Sequence, residues 1–212
     1  MKLYGISGIG ADERVYKGLF IDSDFVFIDW IKPNKDESLK SYSARLSSVV
    51  DVSEDFGLIG VSFGGIVAVE IAKKLDPKLV ILISSIELSS ELRPLYRYFG
   101  RTKLNSLLPT SFYNLPRGLA RFLFGTKSLL LDQILDDTDL SFTKWAVNQL
   151  LSWENKSKID NLYRIHGTKD KLLGCPKPGI RNFLIENGGH FTIVDEAVEV
   201  SDLINKIVLL SY

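Results

Sequence analysis

Short runs of consecutive apolar residues alternate along this chain with longer stretches in which apolar positions recur every third or fourth residue. The runs at 3–6, 25–30, 56–61, 79–84, 162–166 and 181–186 predict strands, because they are short and rich in Leu, Ile, Val and Phe. Helices are predicted over 38–50 and 66–75, the second closed by Pro77, and a last one over about 194–209. Near-continuous apolar strands separated by helices point to parallel βαβ units. The fold class is therefore α/β: a mostly parallel sheet of about six strands with helices on both faces.

Between the fourth and fifth predicted strands lies a long segment, 88–152, rich in Leu, Phe, Tyr and Arg and interrupted by Pro94, Pro109 and Pro116. It is too apolar for a disordered linker, and its prolines divide it into several short helices, so it reads as a helical cap inserted into one domain spanning 1–212. A chain of 212 residues with 45% hydrophobic content can bury one substantial core.

Charge changes the picture mainly by exclusion. Lys and Arg together number 26, as do Asp and Glu, which gives no overall attraction to nucleic acid or to an anionic membrane. A single cysteine, Cys175, cannot form an internal disulfide, and the first residues run directly into a strand, so a cytoplasmic location is expected. No apolar run approaches the roughly 18 residues needed to span a bilayer. Expected cofactors and metals are none.

The strongest chemical signal is Gly60-Val61-Ser62-Phe63-Gly64, which follows an apolar strand and precedes a helical pattern. A serine on so tight a strand-to-helix turn is held in a strained backbone, and side chains two positions either side would collide, hence the paired glycines. Serine needs an adjacent base, usually histidine, itself oriented by a carboxylate. Of the two histidines, His190 is the better candidate, since Gly188 and Gly189 after the last strand let a loop carry it to the top of the sheet; His166 is expected to make local turn contacts. Asp170 follows the fifth strand and gives the chain order Ser, Asp, His; Asp160 comes before that strand and belongs at the opposite edge.

Negative charge developing on a substrate oxygen calls for fixed N–H donors. Phe63 supplies one by position, and Ile9 in the loop Ser7-Gly8-Ile9-Gly10 is the candidate for the other. The same loop supports a competing reading. Gly5, Gly8 and Gly10 after a strand, with Asp29 further on, resemble a dinucleotide-binding fingerprint, but Asp12 and Glu13 put negative charge where a pyrophosphate would sit.

Taken together, GVSFG, IHGTKD and NGGH resemble the elbow, the acid-bearing turn and the histidine loop of the α/β-hydrolase superfamily, over essentially the whole chain. The resemblance implies Ser62, Asp170 and His190 as nucleophile, acid and base, with Ile9 and Phe63 as oxyanion donors. It further implies a serine hydrolase of the carboxylesterase or thioesterase type that forms an acyl-enzyme. The chain departs from the common pattern by starting at what would be the family's third strand and by carrying Ser7 where many members have histidine. A ligand-binding, receptor-like member of the same fold is the alternative of a different class.

Within the cap, 88–127 holds seven basic residues against one acid, Glu91, and Arg93, Arg97 and Arg101 recur every fourth position. On a helix they form one stripe, so Arg97 and Arg101 are candidates to receive an anionic acyl donor such as a coenzyme A or acyl-carrier-protein ester. The aromatic residues of the cap either line an acyl pocket or pack the cap onto the sheet.

Overall fold

A computed structural model describes residues 1–102 and 104–211, without the side chains of Arg101, Leu104 and Ser106. Of the basic stripe, therefore, Arg101 is described by its backbone alone, and the neighbouring Lys103 lies outside the described residues.

Six strands form one sheet: β1 (Lys2–Ile6), β2 (Phe25–Phe27), β3 (Phe56–Val61), β4 (Leu79–Ile83), β5 (Leu162–Gly167) and β6 (Asn182–Ile185). Their order is β2-β1-β3-β4-β5-β6, and every pairing is parallel. The chain leaves β1 toward one edge and returns to place β3 on its other side. The carboxyl ends of β1 and β3 therefore flank a switch point, where open α/β sheets bind ligands.

Alternate residues along each strand serve two cores. Tyr4, Ile6 and Leu58 join α1 (Leu39–Leu46), α2 (Phe63–Leu75) and part of the cap on one face; Leu3, Ile59 and Val61 join the C-terminal helix on the other. All five residues of β4 are fully buried, each side chain stabilising by about 1.5–3 kcal/mol before entropy is counted. This two-sided burial explains why β3 and β4 read as unbroken apolar runs.

Between β4 and β5 the chain forms α3 (Pro94–Thr102), α4 (Leu104–Leu107), α5 (Arg117–Phe124), α6 (Leu129–Asp137) and α7 (Leu140–Ser152). Pro94 opens α3 and Pro116 caps α5, positions where a missing N–H is tolerated. After β6 come α8 (Thr192–Asp195) and α9 (Ala197–Leu210). Among the described residues no helix is long and apolar enough to cross a membrane.

Several boundaries differ from expectation: the helix predicted over 38–50 is α-helical over Leu39–Leu46 and ends in a 3-10 turn, Ser47–Val49, and three others have a visible cause. The helix predicted from residue 66 begins at Phe63, because Gly64 and Gly65, poor helix formers, sit in its first turn where close packing demands them. The second strand stops at Phe27 instead of residue 30, since Trp30 turns inward and donates to the carbonyls of Gly8 and Ala11. The final helix starts at Ala197, preceded by the separate turn of α8.

Candidate active site

The site is assembled at the carboxyl ends of β1, β3 and β5 and in the loop after β6. At the end of β3, Ser62 has φ 52° and ψ −119°, a conformation costing about 1–3 kcal/mol for a residue with a side chain. Its surroundings hold it there: its N–H donates to Ile83 O (2.9 Å), and its carbonyl accepts from Gly65 N (3.0 Å) and Ser85 Oγ (2.6 Å). A Cβ on Gly60 would strike the backbone of Gly64 and Gly65, and one on Gly64 would strike the carbonyls of Ile6 and Ser7. The turn is thus tight enough to present the serine hydroxyl outward.

The structure brings the three sequence-predicted residues into one line. Ser62 Oγ lies 2.9 Å from His190 Nε2, and His190 Nδ1 lies 2.7 Å from Asp170 Oδ2. The other carboxylate oxygen of Asp170 accepts from Leu172 N (2.8 Å) and Leu173 N (2.9 Å). Burial by itself would raise the Asp170 carboxyl, but its contacts with His166 and His190 outweigh that and hold it well below the usual carboxylate range. An ionised Asp170 fixes the His190 tautomer with hydrogen on Nδ1, leaving Nε2 to accept from Ser62.

His166 departs from expectation. It is fully buried, with Nε2 3.1 Å from Asp170 Oδ2 but off the line that a hydrogen bond needs, and Nδ1 has no hydrogen-bond partner. The carboxylate is therefore flanked by both histidines of the chain. Asp160 precedes β5, at the far end of the sheet from Ser62.

The first loop lies against the elbow. A Cβ placed on Gly8 would be 3.4 Å from Ser62 Cβ, and Ser7 Oγ donates to Ala11 O (2.7 Å), which fixes the loop's curl. The backbone N–H groups of Ile9 and Phe63 donate to no protein acceptor among the described residues. Only one turn of 3-10 helix, Glu13–Tyr16, follows this loop; its N-terminal Asp12 is occupied by Arg14 (Oδ2 to Nη2, 2.7 Å). A dinucleotide site would call for a full helix whose N-terminus faces the phosphates, and this loop opens none.

Two supports were not foreseen. Tyr16 is buried, and its hydroxyl donates to Ile6 O (2.9 Å) with Ile59 O 3.2 Å away, so one phenol joins the strands that carry the first loop and the elbow. Burial pushes that hydroxyl's pKa far up, keeping it a donor. The second support is Phe124 of α5, whose carbonyl accepts from His190 N (2.9 Å) and Phe191 N (3.2 Å) while its ring meets the imidazole edge-on at 5.3 Å. A phenylalanine carbonyl has no signature in sequence, and a tyrosine among apolar neighbours reads as packing.

A cavity of about 860 Å³ opens over Ser62 and His190 beneath the cap. Tyr96, Phe99, Phe112, Tyr113 and Phe124 line it, whereas Trp145 packs with Tyr42, Phe63 and Phe142 in the core. The basic character of the cap is weaker than its residues suggest. Arg117 pairs with Asp136 and Arg121 with Asp132, Arg93 reaches the Asp170 carbonyl (3.3 Å), and Arg97 is exposed and does not line the cavity.

A scan against protein-family models finds no match, and a search of curated proteins likewise finds none. Solved structures do share the architecture. A lipase-esterase related protein from Clostridium acetobutylicum aligns with a TM-score of 0.68 at 16% identity, covering 97% of this chain and 93% of its own. A thermophilic esterase from Thermogutta terrifontis aligns at 0.66 and 14% identity, covering 100% and 90%. The type II thioesterase of the yersiniabactin NRPS/PKS pathway aligns at 0.69 and 15% identity, covering 100% and 94%.

Proposed function

The chain carries the α/β-hydrolase fold, and from that premise we propose that it is a serine hydrolase cleaving an ester or thioester through an acyl-enzyme. The observation that carries this reading is the continuous chain of contacts Ser62 Oγ to His190 Nε2 (2.9 Å) and His190 Nδ1 to Asp170 Oδ2 (2.7 Å). His190 takes the Ser62 proton as Oγ bonds to the carbonyl carbon, and Asp170 stabilises the imidazolium. The N–H groups of Ile9 and Phe63, the second at the N-terminus of α2, receive the oxyanion. Collapse expels the alcohol or thiol, which leaves with the proton from His190. Water, deprotonated by the same imidazole, then attacks the acyl carbon and frees Ser62.

Esterase and thioesterase neighbours support a small-molecule or carrier-linked acyl substrate. A coenzyme A or acyl-carrier-protein ester would place its anionic part against α3, where Arg97 is exposed and Arg101 follows four residues on. Stopped-flow release from p-nitrophenyl butanoate tests the reading. A burst of one p-nitrophenol per chain, followed by slower turnover and lost in Ser62→Ala, is expected; equal rates in both proteins would refute it.

A further inference from the structure

We propose that the acyl group accepted by this site is an uncharged hydrocarbon chain of about eight carbons or more, seated beneath the cap; the inference rests on the ester-cleaving reading above. The cavity of about 860 Å³ lies near the top of the roughly 300–1,000 Å³ range of small-molecule pockets. At about 30 Å³ per non-hydrogen atom, the share of one water molecule, it has room for roughly 25–30 atoms, several times a butanoyl group.

Its lining tells what those atoms are. No Asp, Glu, Lys or Arg lines it among the described residues, and His190 is the one histidine there. Its amide and threonine hydroxyls are already committed inside the cap: Asn105 Nδ2 donates to Asn148 Oδ1 (2.6 Å), Thr138 Oγ1 to Ile134 O (2.5 Å) and Thr143 Oγ1 to Asp139 O (3.0 Å). Tyr113 donates to Asn105 O (3.0 Å), leaving the Tyr96 hydroxyl and Asn105 Oδ1 as neutral polar tips without a protein partner among the described residues. A second carboxylate or ammonium on the acyl group would enter this space unpaired and desolvated, which strongly disfavours it.

The cavity also spans both faces of the sheet. Val15, Ile134 and Phe191 belong to the core on the α9 side, whereas Ile9, Tyr96 and Leu150 pack with the core on the α2 side, and all six line the same space. It therefore runs across the top of the sheet past Ser62, a shape that an acetyl group leaves mostly empty and an extended chain fills. Each methylene buried there strengthens binding by up to about fourfold.

Calorimetric titration of Ser62→Ala with butanoate, octanoate and octanedioate tests the inference without requiring catalysis. Octanoate is expected to bind at least about tenfold tighter than butanoate, and octanedioate to lose that gain. In the unsubstituted protein, kcat/KM for the decanoyl p-nitrophenyl ester should exceed that for the butanoyl ester. Val147→Trp and, on the other face, Leu135→Trp narrow the cavity and should each lower that ratio in protein whose circular dichroism is unchanged. Equal affinity for butanoate and octanoate, or octanedioate binding as tightly as octanoate, overturns the inference. Octanoate binding with no ester hydrolysis by the unsubstituted protein leaves it standing and overturns the hydrolase reading instead.

Discussion

A carboxyl group shut away from water as Asp170 is would, on burial alone, hold its proton; the two imidazoles beside it reverse that balance. Its folded pKa lies below the unfolded value of about 3.9, so its ionisation stabilises the fold fully above that pH and the contribution is lost as pH falls toward the folded value. Asp170→Asn should thus lower the midpoint of urea unfolding at pH 7, and the gap from the unsubstituted protein should narrow on going below about pH 4. In the same variant kcat for an activated ester should fall roughly 10⁴-fold, because the amide favours the wrong imidazole tautomer. A kcat within tenfold of the original would contradict the role assigned to the carboxylate. Among single residues the sequence pointed to candidates where chemistry limits the choice: few side chains can act as nucleophile, base or acid, the glycine pair favoured His190 over His166, and a place after rather than before the fifth strand favoured Asp170 over Asp160. The burial of His166 was not legible, since a histidine ending a strand reads equally well as a turn residue until the packing over it is known.

Among the elements, the strand-to-helix turn β3-Ser62-α2 and the loop after β1 depend on each other. The absence of a Cβ at Gly64 lets the carbonyls of Ile6 and Ser7 approach, and Tyr16 ties Ile6 to Ile59 from the side. Tyr16→Phe keeps the ring and removes the buried hydrogen bond to Ile6 O, and should cost about 0.5–1.5 kcal/mol in chemical denaturation. If the hydroxyl also aligns the loop with the elbow, kcat should fall with little change in KM; a variant equal in stability to the original would show that the contact is idle. Strands and helices with strong apolar periodicity were readable to within a few residues. The errors arose where tertiary contacts override local preference: Gly64 and Gly65 extend α2 backward although glycine disfavours helix, and Trp30 leaves the sheet to reach two carbonyls.

Across the whole molecule, four separated stretches of chain meet at one end of the sheet, and the segment between β4 and β5 covers them. Its composition announced helices and an apolar underside, while the seven basic residues of 88–127 suggested a stronger field than the fold leaves, because α6 supplies Asp132 and Asp136 to two of them. Pairings between one helix and the next are invisible to a count of charges that stops at residue 127. The same segment reaches the chemistry through Phe124, whose carbonyl and ring hold the His190 loop, so cap and site form one structure. The most direct test of the proposed chemistry is intact-protein and peptide mass spectrometry after exposure to a fluorophosphonate. One phosphonyl group per chain, on the peptide containing Ser62 and formed far more slowly in His190→Ala, is the result expected. A folded protein that acquires no adduct, or acquires it on another residue, would contradict the assignment of Ser62 as an activated nucleophile.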